Sequence, residues 1–413
     1  PCYLVKWRGI FWKGKNHMKI AKGLIPLLVL IFAVSMIIGC SHSDKSDVEG
    51  VITNELNLLK NLDSDTAQKY ISYQELFPDA TEKTELSKEV EDVFSLFFED
   101  FDYKIQRIKV AKDKKEASAN LKLTTIDAQA LAKDYAVSHL ENAILLAAAS
   151  SSQNTEENSG SLEDRYLILS ELLKNNQYKT VETSCSLTLS NQGTEKEEEW
   201  EIRRTHELEN SLVGGLITYL SDSDLLTPEE TLTVYLNTLK TMDLDQMSNY
   251  LGLESLLNTS DDAKASIASA LVEQMHKNFD FKITSSQIKS YQAAVEAEIT
   301  TFDSNAILTA YQKELEEYLA SPQAVIDGSQ KRYNHSLELL LKSIENNTKT
   351  LTHPASFSLT NDGASWKLQD DGQVIGAGIF GTLSSTPVEE ELSPEENPEE
   401  NPDSSGENIS EEN

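Results

Sequence analysis

The chain is 413 residues long, with 68 acidic and 36 basic side chains and a net charge of −32 at pH 7. Residues 1–39 hold six of the bases and no acid, so the remainder carries −38. A surface of that sign repels nucleic acid and anionic lipid headgroups and attracts cations or basic partners, which excludes polyanion binding as a general property. About two domains are expected, because roughly 340 ordered residues exceed one ordinary core.

In chain order, residues 1–17 (PCYLVKWRGIFWKGKNH) precede Met18 and read as lying upstream of the true start, outside the fold. A basic stretch, Met18-Lys19-Ile20-Ala21-Lys22, then leads into an apolar run from Leu24 to Ile38, broken only by Pro26 and Ser35. The run is about 15 residues, short of the roughly 17–25 that span a bilayer, which argues against an uncleaved membrane anchor. After Ile37-Ile38-Gly39-Cys40 the chain turns polar at once through Ser41 to Lys45. Positive charge, apolar stretch and a small residue before a cut are the layout of a secretory signal, here residues 18–39. Its end on Gly39-Cys40 resembles the lipobox of bacterial lipoproteins. That resemblance implies that a signal peptidase reads Ile37, Ile38 and Gly39 and that the Cys40 thiol is alkylated by diacylglycerol. The new amino terminus then carries acyl chains of the palmitate kind, with residues 40–45 a short linker, and the protein sits on the extracytoplasmic face of the cell membrane. With Cys2 upstream and Cys40 lipidated, Cys185 is the one thiol left, so no intramolecular disulfide forms; many Gram-positive bacteria export proteins of this kind.

The rest of the chain repeats itself. Leu59-Lys60-Asn61-Leu62-Asp63-Ser64-Asp65 with Tyr70-Ile71 matches Leu239-Lys240-Thr241-Met242-Asp243-Leu244-Asp245 with Tyr250-Leu251. Phe101–Ile105 recurs as Phe279–Ile283, Leu123–Asp127 as Ile299–Asp303, and Arg165-Tyr166 as Arg332-Tyr333. Leu187–Gly193 followed by Trp200 recurs as Phe357–Gly363 followed by Trp366. Five ordered blocks whose offset drifts from 180 to 166 define tandem units, too long and too few for a solenoid. The units are placed at 46–222 and 224–383.

The elements follow one plan in both units. A first helix starts at Ser46-Asp47-Val48-Glu49 in unit one. In unit two it starts at Thr227-Pro228-Glu229-Glu230, an N-cap with proline at the first helical position and an acid three residues on. Its apolar face is Leu232, Tyr235, Leu236, Leu239 and Met242. A short second helix follows Asp63 or Asp243, and a third carries Leu86, Val90, Val93, Phe94, Phe97 and Phe98 on one stripe. Strand alternation shows in Ala117, Ala119, Leu121 and Leu123, and again in Ala293, Val295, Ala297 and Ile299, with a hairpin turn at Lys112–Lys115. Helices are expected over 128–147 and 304–320 and near 162–175. A closing hairpin runs from Cys185, Leu187 and Leu189 through Asn191-Gln192-Gly193 to Trp200 and Ile202. The fold class is therefore α+β, with helices on one face of an antiparallel sheet in each of two tandem units.

Helix–helix–hairpin units that close on a turn, a tryptophan and an apolar strand resemble the nuclear-transport-factor-2-like domains. Lipoproteins of Firmicutes often carry one or two of these behind a lipobox. The resemblance spans about 46–220 and 224–383 and implies a cone-like curved sheet. Helical inserts at 128–175 and 304–345 depart from the smallest members. Such domains host isomerases and dehydratases as well as binding and assembly modules, so fold does not decide function.

The candidate chemistry is sparse. Asp63/Asp65 and Asp243/Asp245 have hard oxygen ligands for a divalent cation, yet lack the further acids, sixth-position glycine and terminal glutamate of a calcium loop; helix capping is the simpler reading. His139, His206, His276, His335 and His353 show no metal-ligand spacing and no shared position in the two units, so no metal and no cofactor are expected. Cys185 alternates with Leu187 and Leu189 and has Ala355 as its counterpart, which suits a small buried residue better than a reactive thiol. Gly376-Ala377-Gly378-Ile379-Phe380-Gly381 matches a dinucleotide fingerprint in form only, at the end of the last unit with no helix, second strand or ribose-binding acid after it. Tyr70, Tyr250, Trp200 and Trp366 are shared aromatics that either line a pocket or pack the core. Residues 387–413 hold eleven acids and no base, a tail (from 384) too poor in apolar groups to fold.

Taken together, the sequence reads as a membrane-anchored, non-catalytic protein that binds or scaffolds at the cell envelope. Its expected partners are the membrane, through Cys40, and an envelope protein or small ligand, with no nucleic acid. An alternative is a binder of an apolar or peptidic ligand in the cone cavities; a third is an isomerase- or hydrolase-like enzyme.

Overall fold

The computed structural model describes residues 42–71, 76–77, 93–149, 161–193, 198–251, 262–369 and 373–384. Ile37, Ile38, Gly39 and Cys40, Leu86 and Val90 of the expected third helix, and the acidic tail lie outside the described residues.

Unit one runs α1 (His42–Lys60), α2 (Ser64–Tyr70), α3 (Val93–Leu96), β1 (Asp102–Val110), β2 (Glu116–Ile126), α4 (Ala128–Ala149), α5 (Leu162–Asn175), β3 (Thr180–Asn191), β4 (Trp200–Ile202), α6 (His206–Leu212) and α7 (Leu216–Leu220). Unit two runs α8 (Pro228–Leu239), α9 (Leu244–Tyr250), α10 (Asp262–Asn278), β5 (Asp280–Lys289), β6 (Gln292–Phe302), α11 (Ser304–Leu319), α12 (Pro322–Glu345), β7 (Thr350–Asn361), β8 (Trp366–Leu368) and α13 (Gln373–Phe380), closed by a 3₁₀ turn, Gly381–Ser384. The architecture is α+β, with two open four-stranded antiparallel sheets of orders β1-β2-β3-β4 and β5-β6-β7-β8.

The repeat extends to the register. Ile126 pairs with Thr180 and Phe302 with Thr350; Asn191 pairs with Trp200 and Asn361 with Trp366. Each first strand carries a bulge at the same place, between Ile105 and Arg107 and between Ile283 and Ser285. Alternation places Ala117, Ala119, Leu121 and Leu123 in one core, and Ala293, Val295, Ala297 and Ile299 in the other. Local chemistry sets the helix starts. Thr227 and Glu230 form the reciprocal capping box, Asp243 does the same with Gln246, and Asp127 and Asp303 each accept from the N–H three residues on. Lys60–Asp102 and Lys240–Asp280 are matching surface ion pairs that tie each first helix to its first strand.

Three boundaries differ from the sequence reading. α1 starts at His42, inside the stretch read as linker, because Asp44 is buried and receives Lys114 Nζ at 2.6 Å, which holds the first turn against the β1–β2 hairpin. The glycine-rich run of residues 376–381 is mostly helical: α13 lies against the second sheet, and Gly376 and Gly378 face Leu251 and His353 at contact distance. Its partner in unit one is α6, so the repeat has a sixth block. Leu208, Leu212 and Val213 correspond to Ile375, Ile379 and Phe380, all buried. The closing glycines Gly214 and Gly381 share a positive φ, +66° and +55°.

The third difference is the use of α4. Its carboxyl half leaves the first core, and Ile144 and Ala148 are buried in the second, among Val234, Leu236 and Met247. Asn249 Nδ2 donates to Ala148 O at 3.0 Å, and Lys133 pairs with Glu230 at 2.8 Å. At the repeat offset of 176, Val137, Leu140, Ile144 and Ala148 become Lys313, Glu316, Ala320 and Ala324. The second unit thus has the charged Lys313 and Glu316 where the first has the apolar Val137 and Leu140.

Candidate functional site

The sequence of α4 explains the site it builds. Residues 140–149 (LENAILLAAA) are apolar around most of the helix, more than one core can cover. One side enters the second core; the other leaves Leu146 48% exposed. α5 faces it across a gap and leaves Leu167 39% exposed. Between them lies a groove of about 570 Å³ whose walls are Ala143, Leu145, Leu146, Ala149, Leu167 and Ile168, with Gln246 of α9 at one end.

The polar groups at this groove are held in place by their neighbours. Asp164 is engaged in the capping box with Ser161, accepting from its N–H at 2.9 Å and its hydroxyl at 2.8 Å. His139 stacks on Tyr135 with ring centroids 5.6 Å apart and planes 9° apart. Arg165 is buried and sets its guanidinium 5.5 Å from the centre of the Phe77 ring. Asn142 and Glu171 complete the rim. The groove thus combines apolar walls with several polar side chains, a lining compatible with an apolar or peptidic ligand.

The matching positions of unit two carry two aromatic rings in contact. At the repeat offsets, Asn142 corresponds to Tyr318 and Ile168 to His335, and these two rings meet at 4.3 Å. Tyr318 donates to Asp327 Oδ2 at 2.9 Å, and Gln323 Nε2 to its other oxygen at 2.7 Å, which lowers the Asp327 pKa below the usual carboxylate value. Arg332, the partner of Arg165, donates to Ala324 O at 3.1 Å. Gln323, Ala324 and Asp327 lie on the early part of α12, which passes Gly328 at φ +66° before resuming as helix; Tyr318 is on α11 and Arg332 and His335 lie beyond the break.

The residues singled out in the sequence take other places. Asp63 and Asp243 are N-caps: Asp63 accepts from the Thr66 N–H at 2.9 Å and its hydroxyl at 2.6 Å, hydrogen bonds that lower its pKa. Asp65 and Asp245 sit in the first turns that follow. His276 donates to Met242 O and His353 to Gly378 O; His335 lies 3.0 Å from Glu338, and His206 opens α6. Cys185 is buried, opposite Leu121, and burial raises its pKa. Tyr70, Trp200 and Trp366 are core residues; Trp200 Nε1 donates to Glu198 at 3.0 Å and Trp366 Nε1 to Asp224 at 2.8 Å. Tyr250 packs half-buried against the second core. None of these four aromatics lines the groove. Among the described residues no group of three His, Cys, Asp or Glu is placed to hold a metal ion, and no helix is long and apolar enough to cross a membrane.

No family model and no curated protein matches this chain. Among solved structures, the crystal structure of ycdA from Bacillus subtilis, described as a candidate lipoprotein, is similar to it at 12% identity. The match covers 67% of this chain and 95% of that one, with a TM-score of 0.24, too low to establish a shared fold.

Proposed function

We propose that the protein is a lipid-anchored, non-catalytic binding protein of the extracytoplasmic membrane face, held by diacylglycerol on Cys40. In this reading residues 46–222 and 224–383 are tandem domains of the nuclear-transport-factor-2-like, cone-shaped kind, and the α4–α5 groove receives an apolar or peptidic ligand. The anchor is supported by the basic, apolar and Gly39-Cys40 sequence, with α1 starting two residues after Cys40. The binding reading is carried by one observation: the groove between α4 and α5 is lined largely by apolar side chains, with Leu146 and Leu167 left exposed. The shared aromatics, packed into the cores, favour the groove over the cone interiors as the ligand site.

Both parts are testable. Cells making the full chain and fed an alkyne fatty acid should label it, and Cys40→Ala should abolish the label; a labelled Ala variant would exclude the anchor. In solution, the mature chain should enhance the fluorescence of an anilinonaphthalene sulfonate dye. The double variant Leu146→Glu/Leu167→Glu should weaken that enhancement several-fold with an unchanged unfolding midpoint. Undiminished dye binding would remove the groove from consideration.

A further inference from the structure

The two walls of the α4–α5 groove are backed by different cores. On α5, Leu162, Tyr166 and Leu169 are buried in the first core, while Leu167 and Ile168, on the opposite side of the same turns, face the groove. On α4, Ala128, Leu131, Ala132 and Tyr135 lie in that first core as well, but Ile144 and Ala148 lie in the second. Side chains advance by about 100° per residue, so Asn142, Leu146 and Ala149 stand roughly 140–200° around the helix from Ile144. Those three line the groove. The last turns of α4 are therefore held between unit two on one side and the groove on the other. Gln246 of α9 brings unit two into the lining itself.

Unit two also finishes α4. Ala148 O is one of the terminal carbonyls that a helix leaves without an internal partner, and Asn249 Nδ2 of α9 donates to it at 3.0 Å. Nearer the start of α4, Lys133 Nζ donates to Glu230 of α8 at 2.8 Å. Residues 143–149 (AILLAAA) have no charged or hydrogen-bonding side chain with which to hold their own end. Drawn away from unit two, this stretch would expose Ile144 and Ala148 and lose the Asn249 cap. A helix end without packing is marginal in water. The wall built by Leu145, Leu146 and Ala149 would fray with it.

We infer that the groove is a site shared by the two units, in which occupancy by a ligand and the packing of α4 on α8 and α9 stabilise each other. This rests on the reading of the groove as a binding site. The bistable element is the end of α4, ordered against unit two or frayed away from it. A ligand that touches Leu146 and Ala149 binds the ordered state better and shifts the balance toward it. By the same linkage, whatever loosens the packing of α4 on unit two lowers the affinity of the groove.

The test uses the mature chain and an anilinonaphthalene sulfonate dye, with Leu146→Glu/Leu167→Glu defining the part of dye binding that belongs to the groove. Lys133→Glu/Asn249→Ala removes two contacts between the units and no side chain that lines the groove. Its dye affinity at the groove should fall by at least about fivefold, the lower end of ordinary coupling between sites. Amide exchange read by mass spectrometry supplies the reciprocal measurement. In the native chain, saturating dye should slow exchange at 228–245, which lies outside the groove lining, as well as at 139–171. In the double variant, exchange at 143–149 and 228–245 should start faster and return toward the native rate as dye is added. An unchanged affinity in the double variant, or slowing confined to 139–171 in the native chain, would overturn the coupling. The exchange measurement on the native chain needs no substitution and decides the question even if the variant fails to fold. Dye binding left intact by Leu146→Glu/Leu167→Glu would instead remove the groove, and with it the reading on which the coupling rests.

Discussion

The two units share strand order, register, bulges and capping aspartates, and differ in what they turn outward. Unit one has an α4 that enters its neighbour's core and an open trough beside α5. Unit two has Lys313 and Glu316 on α11, Tyr318 and His335 in ring contact, and a hairpin with Ile288 and Tyr291 exposed. Duplicated backbone with divergent surface shows that core positions satisfy the fold and the outward positions carry what is particular to each unit. Unit one keeps an open groove and packs α4 into its sister unit.

The sharpest way to break the sameness is at the closing glycines. A Cβ on Gly214 would stand 2.7 Å from Thr125 Oγ1 and 3.0 Å from Ile126 O, and one on Gly381 would stand 2.5 Å from Ser304 Oγ. Gly214→Val adds a β-branched side chain at φ +66°, so a loss of more than about 4 kcal/mol is expected. Each unit has its own reporter, because Trp200 and Trp366 are the only tryptophans after residue 12. In urea titrations, Gly214→Val should shift the Trp200 transition and Gly381→Val the Trp366 transition. A shift of under 1 kcal/mol, in the sense of an ordinary surface substitution, would refute the strained closing turn.

These glycines also show what sequence alone conceals. The turn at Asn191-Gln192-Gly193, the capping box at Thr227 and the alternating strands were legible because each is decided within a few residues. The start of α1 was not, since it depends on Lys114, 70 residues away. α6 and α13 were missed because each is short, and in α13 Gly376 and Gly378 interrupt the helical pattern although the sheet-facing Ile375, Ile379 and Phe380 are buried. The groove was hidden because Leu146 and Leu167 look like core leucines on helices. Contacts between distant segments are the information a linear reading loses.

A middle-sized effect tests where the units stop being independent. Ile144 is 3% exposed and belongs by sequence to unit one and by packing to unit two. Ile144→Ala should cost about 3 kcal/mol through lost contacts and a partly unrelaxed cavity. The loss should appear chiefly in the Trp366 transition. If only the Trp200 transition moves, α4 does not bridge the units. Equal movement of both would mean that they unfold as one.

The smallest effect sharpens the comparison at a single matched residue. The closing turn has Gln192 in unit one and Asp362 in unit two. Partial burial works to raise the Asp362 pKa, yet its hydrogen bond with Lys367 and the N–H groups of Ser365 and Ala364 hold it down to about 2, from an ordinary 3.8. A carboxylate with a depressed folded pKa contributes stability above its unfolded value, and that contribution is lost as pH falls through the folded one. Unit two should therefore weaken relative to unit one between about pH 4 and pH 2. Because the side chain is 38% exposed, screening limits the contribution at neutral pH to about 0.5 kcal/mol. Asp362→Gln, which imports the unit-one residue, should lower the Trp366 transition by that amount at pH 7 and leave it unchanged near pH 2. A carboxyl titration by NMR centred on the ordinary 3.8 would show that the Lys367 pair holds no charge in place, and that the two turns are equivalent in chemistry as well as in shape.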